Sequence, residues 1–167
     1  AEAFFRSFDL PVVTIRPFNT FGPRQSARAV IPTIISQLLA GQPVHLGNLS
    51  PTRDMNYVQN TVDGFVLAAT TPKANGQTIN LGSGREISIG DLAKLIAKIA
   101  DKPIRILSDD ARFRPKESEV DRLVADSRLA KEILGWEPKV DLEEGLQRTI
   151  NWITEHMERY RSDEYVL

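Results

Sequence analysis

The segment at residues 11–23 decides the fold, and it reads Pro11-Val12-Val13-Thr14-Ile15-Arg16-Pro17-Phe18-Asn19-Thr20-Phe21-Gly22-Pro23. Its first six residues form a short, mostly apolar stretch that is rich in β-branched side chains, which is typical of a buried parallel strand. Two prolines and a glycine follow, and these residues predict a fixed loop at the end of the strand. The segment therefore predicts a strand that leads directly into a rigid loop.

Helical and strand patterns alternate along the rest of the chain. A helix is predicted from Ala29 to Ala40, where apolar residues recur at helical spacing and Gly41 follows as a C-cap. The further predicted elements are strands at 44–46, 55–58, 78–81 and 104–107, and helices at 60–70, 88–99, 126–134 and 142–159. Asp126 is expected to cap the helix at 126–134. The residues of helix 60–70 expected to face inward are Val62, Phe65, Val66 and Ala69. This alternation predicts an α/β fold.

Composition excludes several classes of protein. The chain has 167 residues and a net charge of −1, so it has no excess of positive charge with which to neutralise a nucleic acid. It has no cysteine, which removes disulfides, thiolate metal sites and cysteine nucleophiles and fits a reducing cytoplasm. No apolar run is long enough to span a membrane, and the opening residues lack the order of a signal peptide. We therefore expect a cytoplasmic protein that binds neither nucleic acid nor membrane.

Motifs for cofactor, metal and nucleophilic chemistry are missing from the sequence. Gly82-Ser83-Gly84 is the only G-x-G, and Ile87 stands where a dinucleotide fingerprint needs its third glycine. We interpret this segment as a strand-to-loop turn. His45 and His156 are the two histidines, and neither has metal-ligand spacing. No catalytic residue and no metal site are predicted.

Arginines and one asparagine on loops are the candidate anion ligands. Arg53 stands beside Asp54, and a local salt bridge is the ordinary interpretation of such a pair. Alternatively, Arg53 and Arg114 converge on a diphosphate, since guanidinium groups bind phosphate oxygens through two parallel hydrogen bonds. Asn19 lies between two prolines after a strand, where its amide would either satisfy the turn or hold a phosphate or sugar hydroxyl. The residues alone leave both alternatives open.

Five segments, in this order, resemble the motifs of extended short-chain dehydrogenase/reductases that act on nucleotide sugars. Arg16–Pro23 resembles the family pattern R-x-x-N-x-Y/F-G-P, and Arg53–Val58 resembles R-D-x-x-Y-V. Thr78–Gly82 resembles Y-N-I/L-G. Arg114–Glu117 resembles R-P-x-E, and Leu134–Pro138 resembles L-G-W-x-P. The chain is thus identified as the C-terminal portion of an NAD-dependent epimerase/dehydratase. It looks most like the 4,6-dehydratases. The stretch 19–32 is similar to those of legionaminic-acid-type pathways, which make a 4-keto-6-deoxy N-acetyl sugar.

The resemblance also implies which parts of the enzyme are not in this chain. In the family, the N-terminal half holds a G-x-x-G-x-x-G loop for the NAD(P) pyrophosphate and a catalytic Y-x-x-x-K pair. Tyr57, Tyr160 and Tyr165 are the tyrosines of this chain, and none has a lysine four residues later. We therefore expect NAD or NADP in the full-length enzyme, no cofactor bound by this chain alone, and no activity of this chain alone.

Site residues follow from the resemblance position by position. Those expected to bind substrate are Asn19, Ala29, Val30, Arg53, Arg114 and Glu117, and those expected near the nicotinamide are Pro17 and Phe18. Asn19 would contact the phosphates and the two arginines would clamp the diphosphate. Glu117 would accept from ribose hydroxyls, and the backbone at 29–30 would lie against the base. Leu46 replaces an aromatic that can stack on the base in many relatives, so the base itself is not indicated.

The expected architecture combines two parts of the family fold. Residues 1–22 and about 53–70 would form edge elements of a Rossmann-like parallel sheet, and the remainder would form the smaller substrate-binding domain. The expected function is binding of a nucleoside-diphosphate sugar through an Arg/Asn clamp. A non-catalytic binding module and a self-associating enzyme remnant are the alternatives. An open strand edge and an apolar face would favour a homodimer or higher assembly.

Overall fold

The computed structural model describes residues 2–112 and 120–160, and its fold is α/β, as the sequence predicts. Its helices are α1 (Glu2–Phe8), α2 (Val30–Leu39), α3 (Val58–Thr70), α4 (Ile89–Ile99), α5 (Arg128–Leu134) and α6 (Leu142–Glu155). Its strands are β1 (Thr14–Pro17), β2 (Thr20–Phe21), β3 (Val44–Leu46), β4 (Thr52–Arg53), β5 (Asn56–Tyr57), β6 (Thr78–Leu81), β7 (Ile87–Ser88), β8 (Ile106–Ser108) and β9 (Arg122–Leu123). Within these described ranges, no helix is long and apolar enough to cross a membrane.

The chain divides into two compact units. The first unit comprises residues 1–20, 54–86 and 124–142, and the second comprises residues 21–53, 87–123 and 143–167. Each unit therefore assembles from three separate stretches of sequence. The tail at 162–167 lies outside the described residues.

The first unit is built on the parallel pair β1–β6, in which Thr14 lies opposite Thr78. Helices α3 and α5 pack against this pair. The core cluster of the unit comprises Ala68, Ala74, Ile79, Leu81, Ala130, Leu134 and Trp136. Gly64 lets α3 approach closely, because a Cβ at that position would lie 2.4 Å from Leu81 Cδ1 and 3.1 Å from Trp136 Nε1. Small residues on α3 therefore allow the helix to lie on the strands.

The inward face of α3 differs from the prediction. The residues expected inside are exposed: Val62, Phe65, Val66 and Ala69. The buried positions of the helix are Asn60, Thr61, Gly64 and Ala68. Both sets follow the helical spacing of three and four, so periodicity is compatible with either face. The hydrophobic residues indicate the wrong buried face of α3. Close packing at residue 64 and hydrogen bonds at residues 60 and 61 favour burial of the face with small and polar residues.

The second unit contains the parallel pair β3–β8 and a three-stranded sheet in the order β7–β4–β9. Helices α2 and α4 pack on each other, and the fully buried side chains include Ile31, Ile34, Ile35, Leu92, Ile96, Leu146 and Ile153. Ser88 caps α4, since its hydroxyl accepts from the Asp91 N–H at 3.0 Å. Gly41 follows α2 in the left-handed conformation, with φ of 69°, and so confirms the predicted C-terminal signal.

Some predicted boundaries were wrong by a few residues. The strand expected at 55–58 is only Asn56–Tyr57, because α3 already begins at Val58. The strand expected at 104–107 is Ile106–Ser108, and the last helix ends at Glu155 before a short 3-10 turn. Element ends are set by local hydrogen bonds that periodicity does not report.

The cap of α5 also differs from the prediction. The helix begins at Arg128, and Ser127 rather than Asp126 occupies the N-cap position. The Ser127 hydroxyl donates to the Gly82 carbonyl at 2.9 Å and accepts from the Gly82 N–H at 3.1 Å, so it serves the neighbouring turn instead of the helix. Asp126 accepts from the Arg128 N–H at 3.1 Å and from its guanidinium. Hydrogen bonds from Arg128 lower the pKa of Asp126 to about 2.

The observed face of α3 is testable with two substitutions. Gly64→Ala should lower the free energy of unfolding by about 1–3 kcal/mol, because the new methyl group overlaps Leu81. Val66→Ala is the control on the exposed face and should change stability by less than about 0.5 kcal/mol. Urea denaturation of both variants measures the difference. A larger loss for Val66→Ala than for Gly64→Ala would show that the apolar face is the buried one.

Candidate functional site

Asn19 lies in the first unit, in the turn that follows β1. Its backbone carbonyl accepts from the Asn56 N–H at 3.1 Å. Its side-chain Nδ2 is buried, and no acceptor for it is found in the part of the chain that the structure describes. A buried donor without an acceptor costs about 1–3 kcal/mol. An oxygen of a bound ligand would satisfy this group.

A series of side-chain hydrogen bonds connects the same turn to α3. The Thr20 hydroxyl donates to the Phe18 carbonyl at 3.0 Å and lies 3.0 Å from the Thr61 hydroxyl. The Asn56 Nδ2 donates to Thr61 Oγ1 at 3.2 Å. Asn56 and Thr61 were not among the predicted site residues. Asn56 lies in β5, and the sequence signal for Thr61 is that it follows a second polar residue, Asn60, on the buried face of α3.

Asn60 fixes the far end of this series. Its Oδ1 accepts from the backbone N–H groups of Lys139 and Val140, both at 3.0 Å. Its Nδ2 donates to the Val140 carbonyl at 2.8 Å and to Asn56 Oδ1 at 3.1 Å. Its own carbonyl accepts from Trp136 Nε1 at 2.8 Å. The segment after α5 is thereby tied to α3 through one buried asparagine.

Asp54 organises the turn at Gly82-Ser83-Gly84. The carboxylate is fully buried and accepts from Ser83 N at 2.8 Å, Ser83 Oγ at 2.6 Å, Gly84 N at 2.9 Å and Ala125 N at 3.1 Å. Gly82 is required by close approach, since a Cβ there would lie 2.4 Å from the Ala125 Cβ. The interpretation of this segment as a strand-to-loop turn is confirmed. Its N–H groups bind a carboxylate of the chain itself, so the turn does not fit a dinucleotide pyrophosphate.

The residues predicted near a nicotinamide also lie in the first unit. Pro17 ends β1, and the Phe18 N–H donates to the Leu81 carbonyl at 2.9 Å, which extends the β1–β6 pairing by one bond. Pro17, Phe18 and Asn19 are therefore consecutive residues at the carboxyl end of a parallel strand. Ligands bind at this end of the strands in open α/β sheets.

The remaining predicted residues lie in the second unit or outside the described chain. Ala29 occupies the N-cap position of α2 without a side-chain hydrogen bond, and Val30 is the first helical residue. Arg53 lies in the middle strand of the β7–β4–β9 sheet, half-buried, and its Nη1 donates to the Thr52 carbonyl at 2.8 Å. Arg114 and Glu117 lie outside the described residues. The clamp formed by the two arginines thus stays a prediction.

The loop before α2 is held by the end of the described chain. The Tyr160 hydroxyl donates to the Gln25 carbonyl at 3.0 Å. Trp152 lies edge-on to the Tyr160 ring at 5.9 Å and is stacked on His156 at 4.3 Å. Burial raises the pKa of the Tyr160 hydroxyl, so the group stays a hydrogen-bond donor at neutral pH. The aromatic cluster thereby restrains the loop that leads to Ala29.

Tyr160→Phe should lower the free energy of unfolding near neutral pH by about 0.5–1.5 kcal/mol, the net worth of one hydrogen bond. The pKa of folded Tyr160 is raised, so its contribution is present below the unfolded value of about 10 and is lost as pH rises through the folded value. Denaturation of both proteins at about pH 8 and pH 11 tests this. A stability difference that stays constant between these pH values would contradict the raised pKa of the buried Tyr160 hydroxyl.

Comparison with known proteins defines the class. The family model described as GDP-mannose 4,6 dehydratase matches residues 1–149, and the chain belongs to this family of NAD-dependent nucleotide-sugar epimerases and dehydratases. The chain is 37% identical over 150 residues to UDP-glucose 4-epimerase of Mycolicibacterium smegmatis, covering 87% of this chain and 46% of that protein. It is 32% identical over 169 residues to UDP-glucuronic acid decarboxylase 1 of Xenopus tropicalis, covering 98% of this chain and 38% of that protein.

Solved structures that superimpose on this chain include epimerases of this kind. An epimerase of Methanothermobacter thermautotrophicus superimposes with a TM-score of 0.85 at 33% identity, covering 94% of this chain and 47% of that one. UDP-glucose 4-epimerase of Thermotoga maritima, solved with UDP-glucose, gives 0.84 at 31% identity, covering 93% and 50%. The chain therefore spans about half, or less than half, of the length of these proteins. The resemblance inferred from the five motifs, including the partial nature of the chain, is confirmed.

Proposed function

We propose that this chain supplies the part of an NAD(P)-dependent nucleotide-sugar 4,6-dehydratase or epimerase that binds the nucleoside-diphosphate sugar. The observation that carries the proposal is the buried Nδ2 of Asn19, which has no acceptor among the described residues. It lies at the carboxyl end of a parallel strand in a chain of this family. A phosphate oxygen is a charged acceptor, and a hydrogen bond to it is stronger than one between neutral groups.

The other substrate contacts are assigned by chemistry. Arg53 and Arg114 bind the diphosphate, because guanidinium groups are always charged and match the spacing of two phosphate oxygens. Glu117 accepts hydrogen bonds from the ribose hydroxyls. The backbone at Ala29 and Val30 lies against the base. In this assignment the two arginines neutralise the diphosphate, and the Asn19 amide donates a hydrogen bond to it.

The cofactor contacts are limited to Pro17 and Phe18. In the full-length enzyme these two residues lie near the nicotinamide of NAD or NADP. UDP-glucuronic acid 4-epimerase of Bacillus cereus, a relative at 28% identity, has been solved with a UDP sugar and NAD. This chain alone binds no dinucleotide, because the N–H groups of its one Gly-x-Gly turn are bound to Asp54. Residues 1–22 and about 53–70 belong to the edge of the Rossmann-like sheet. The cysteine-free composition favours a cytoplasmic protein.

Calorimetric titration with GDP, UDP, dTDP, CDP and NAD tests the proposal. One nucleoside diphosphate should bind and NAD should not. Asn19→Ala and Arg53→Ala should each weaken that binding by about 1.5–3 kcal/mol, the worth of a charge-assisted hydrogen bond. Asn151→Ala and Arg6→Ala are matched controls, since both side chains are on exposed helical surfaces, and they should bind like the wild type. Unchanged binding in all four variants would contradict the site assignment.

The chain also forms a homodimer or a higher assembly. Exposed apolar side chains on two helices of the first unit support this: Phe4, Phe8, Val62, Phe65 and Val66. Contiguous exposed apolar surface favours association. Sedimentation at tens of micromolar should show a species heavier than the 18.7 kDa chain, and Phe65→Lys should shift the equilibrium toward monomer. A strictly monomeric wild type would contradict the assembly.

A further inference from the structure

We infer that Asn56 and Thr61 are positioning residues, which set the turn at Phe18–Thr20 and through it the amide of Asn19. The inference rests on the proposed function, in which that amide binds a phosphate. Neither residue is assigned a contact to the ligand. Both act on the turn through hydrogen bonds that the structure shows within the first unit.

The turn is held from three sides by the chain itself. The Phe18 N–H is bound to the Leu81 carbonyl at 2.9 Å, and the Phe18 carbonyl accepts from the Thr20 hydroxyl at 3.0 Å. The Asn19 carbonyl accepts from the Asn56 N–H at 3.1 Å. The peptide groups on both sides of the Asn19 side chain are therefore fixed. Release of the Thr20 hydroxyl would free the Phe18 carbonyl, which precedes Asn19 directly.

Each side chain of this network donates a hydrogen bond to the next group on the way from Asn60 to the turn. Asn60 Oδ1 accepts from two backbone N–H groups, so its amide orientation is set and Nδ2 must donate to Asn56 Oδ1. Asn56 Nδ2 then donates to Thr61 Oγ1, whose own hydrogen is left for Thr20 Oγ1. Thr20 in turn donates to the Phe18 carbonyl. An orientation fixed at Asn60 is thereby transmitted to the turn.

Burial makes this network sensitive to the loss of any member. Asn56, Asn60 and Thr61 are exposed by only 1%, 2% and 7%, so water does not replace a missing partner easily. Buried polar groups in low-dielectric surroundings polarise one another, and a partly satisfied network is unfavourable. Removal of the Thr61 hydroxyl leaves Asn56 Nδ2 without its acceptor and Thr20 Oγ1 without its donor. The turn then loses its link to Asn60.

The test uses Thr61→Val, which removes the hydroxyl at nearly constant volume, and Thr61→Ser, which restores it. Thr149→Val is the matched control, because Thr149 is also buried but its hydroxyl donates to the Gly145 carbonyl within α6. The ligand-free measurement is the nitrogen–proton NMR spectrum of the chain, with the Asn19 side-chain amide and the Phe18–Thr20 amides as reporters. Titration with GDP, UDP, dTDP and CDP is the second measurement.

We expect Thr61→Val to shift the reporter signals and to weaken binding of the preferred nucleotide by about threefold to tenfold, the effect of one lost hydrogen bond. Thr61→Ser should restore both, and Thr149→Val should change neither. Reporter signals that stay unchanged in Thr61→Val would overturn the inference, whatever the nucleotide titration shows. If the wild type binds none of GDP, UDP, dTDP and CDP, the proposed function fails, while the NMR comparison still decides the positioning role.

A second pair covers the case in which Thr61→Val does not fold. Thr20→Val removes the other hydroxyl of the same contact, and Thr20→Ser restores it. The Thr20→Val spectrum should show the same displacement of the Asn19 side-chain amide, with recovery in Thr20→Ser. An Asn19 amide signal at its wild-type position in Thr20→Val would overturn the inference.

Discussion

The carboxamide of Asn60 is the interaction on which the first unit depends. It is buried on α3 and satisfies two backbone N–H groups, one backbone carbonyl and the Asn56 side chain. A buried amide is costly unless it is hydrogen-bonded. The segment at 139–140 and the turn after β1 are therefore held at fixed positions relative to the helix. The proposed phosphate ligand, Asn19, belongs to that turn.

Asp54 has a comparable role beside it. One carboxylate receives three backbone N–H groups and one hydroxyl, from residues about 30 and 70 positions further along the chain. Two neighbouring residues of the R-D-x-x-Y-V segment thus have different structural roles. Asp54 closes the Gly82–Gly84 turn, while Arg53 lies in a strand of the second unit.

Much of the fold could be predicted because its signals are local. The strand at 44–46, the Ser88 cap and Gly41 depend on residues that are close in sequence. The buried face of α3 could not be predicted that way, since its polar residues are satisfied by partners from 4 to 80 positions away. Asn56 and Thr61 were not predicted for the same reason. Asn56 occupies an unspecified position of its family motif, whereas Asn19 occupies a specified one. Asp126 was wrongly predicted as the cap because α5 begins at Arg128, so that Ser127 occupies the N-cap position.

The central claim is that Asn19 completes its hydrogen bonding with a phosphate oxygen. Structure determination of the chain with its preferred nucleoside diphosphate tests this most directly. The account predicts a phosphate oxygen at about 2.7–3.2 Å from Asn19 Nδ2. A bound nucleotide whose phosphates lie away from Asn19, with Nδ2 bound instead to the protein or to water, would contradict it.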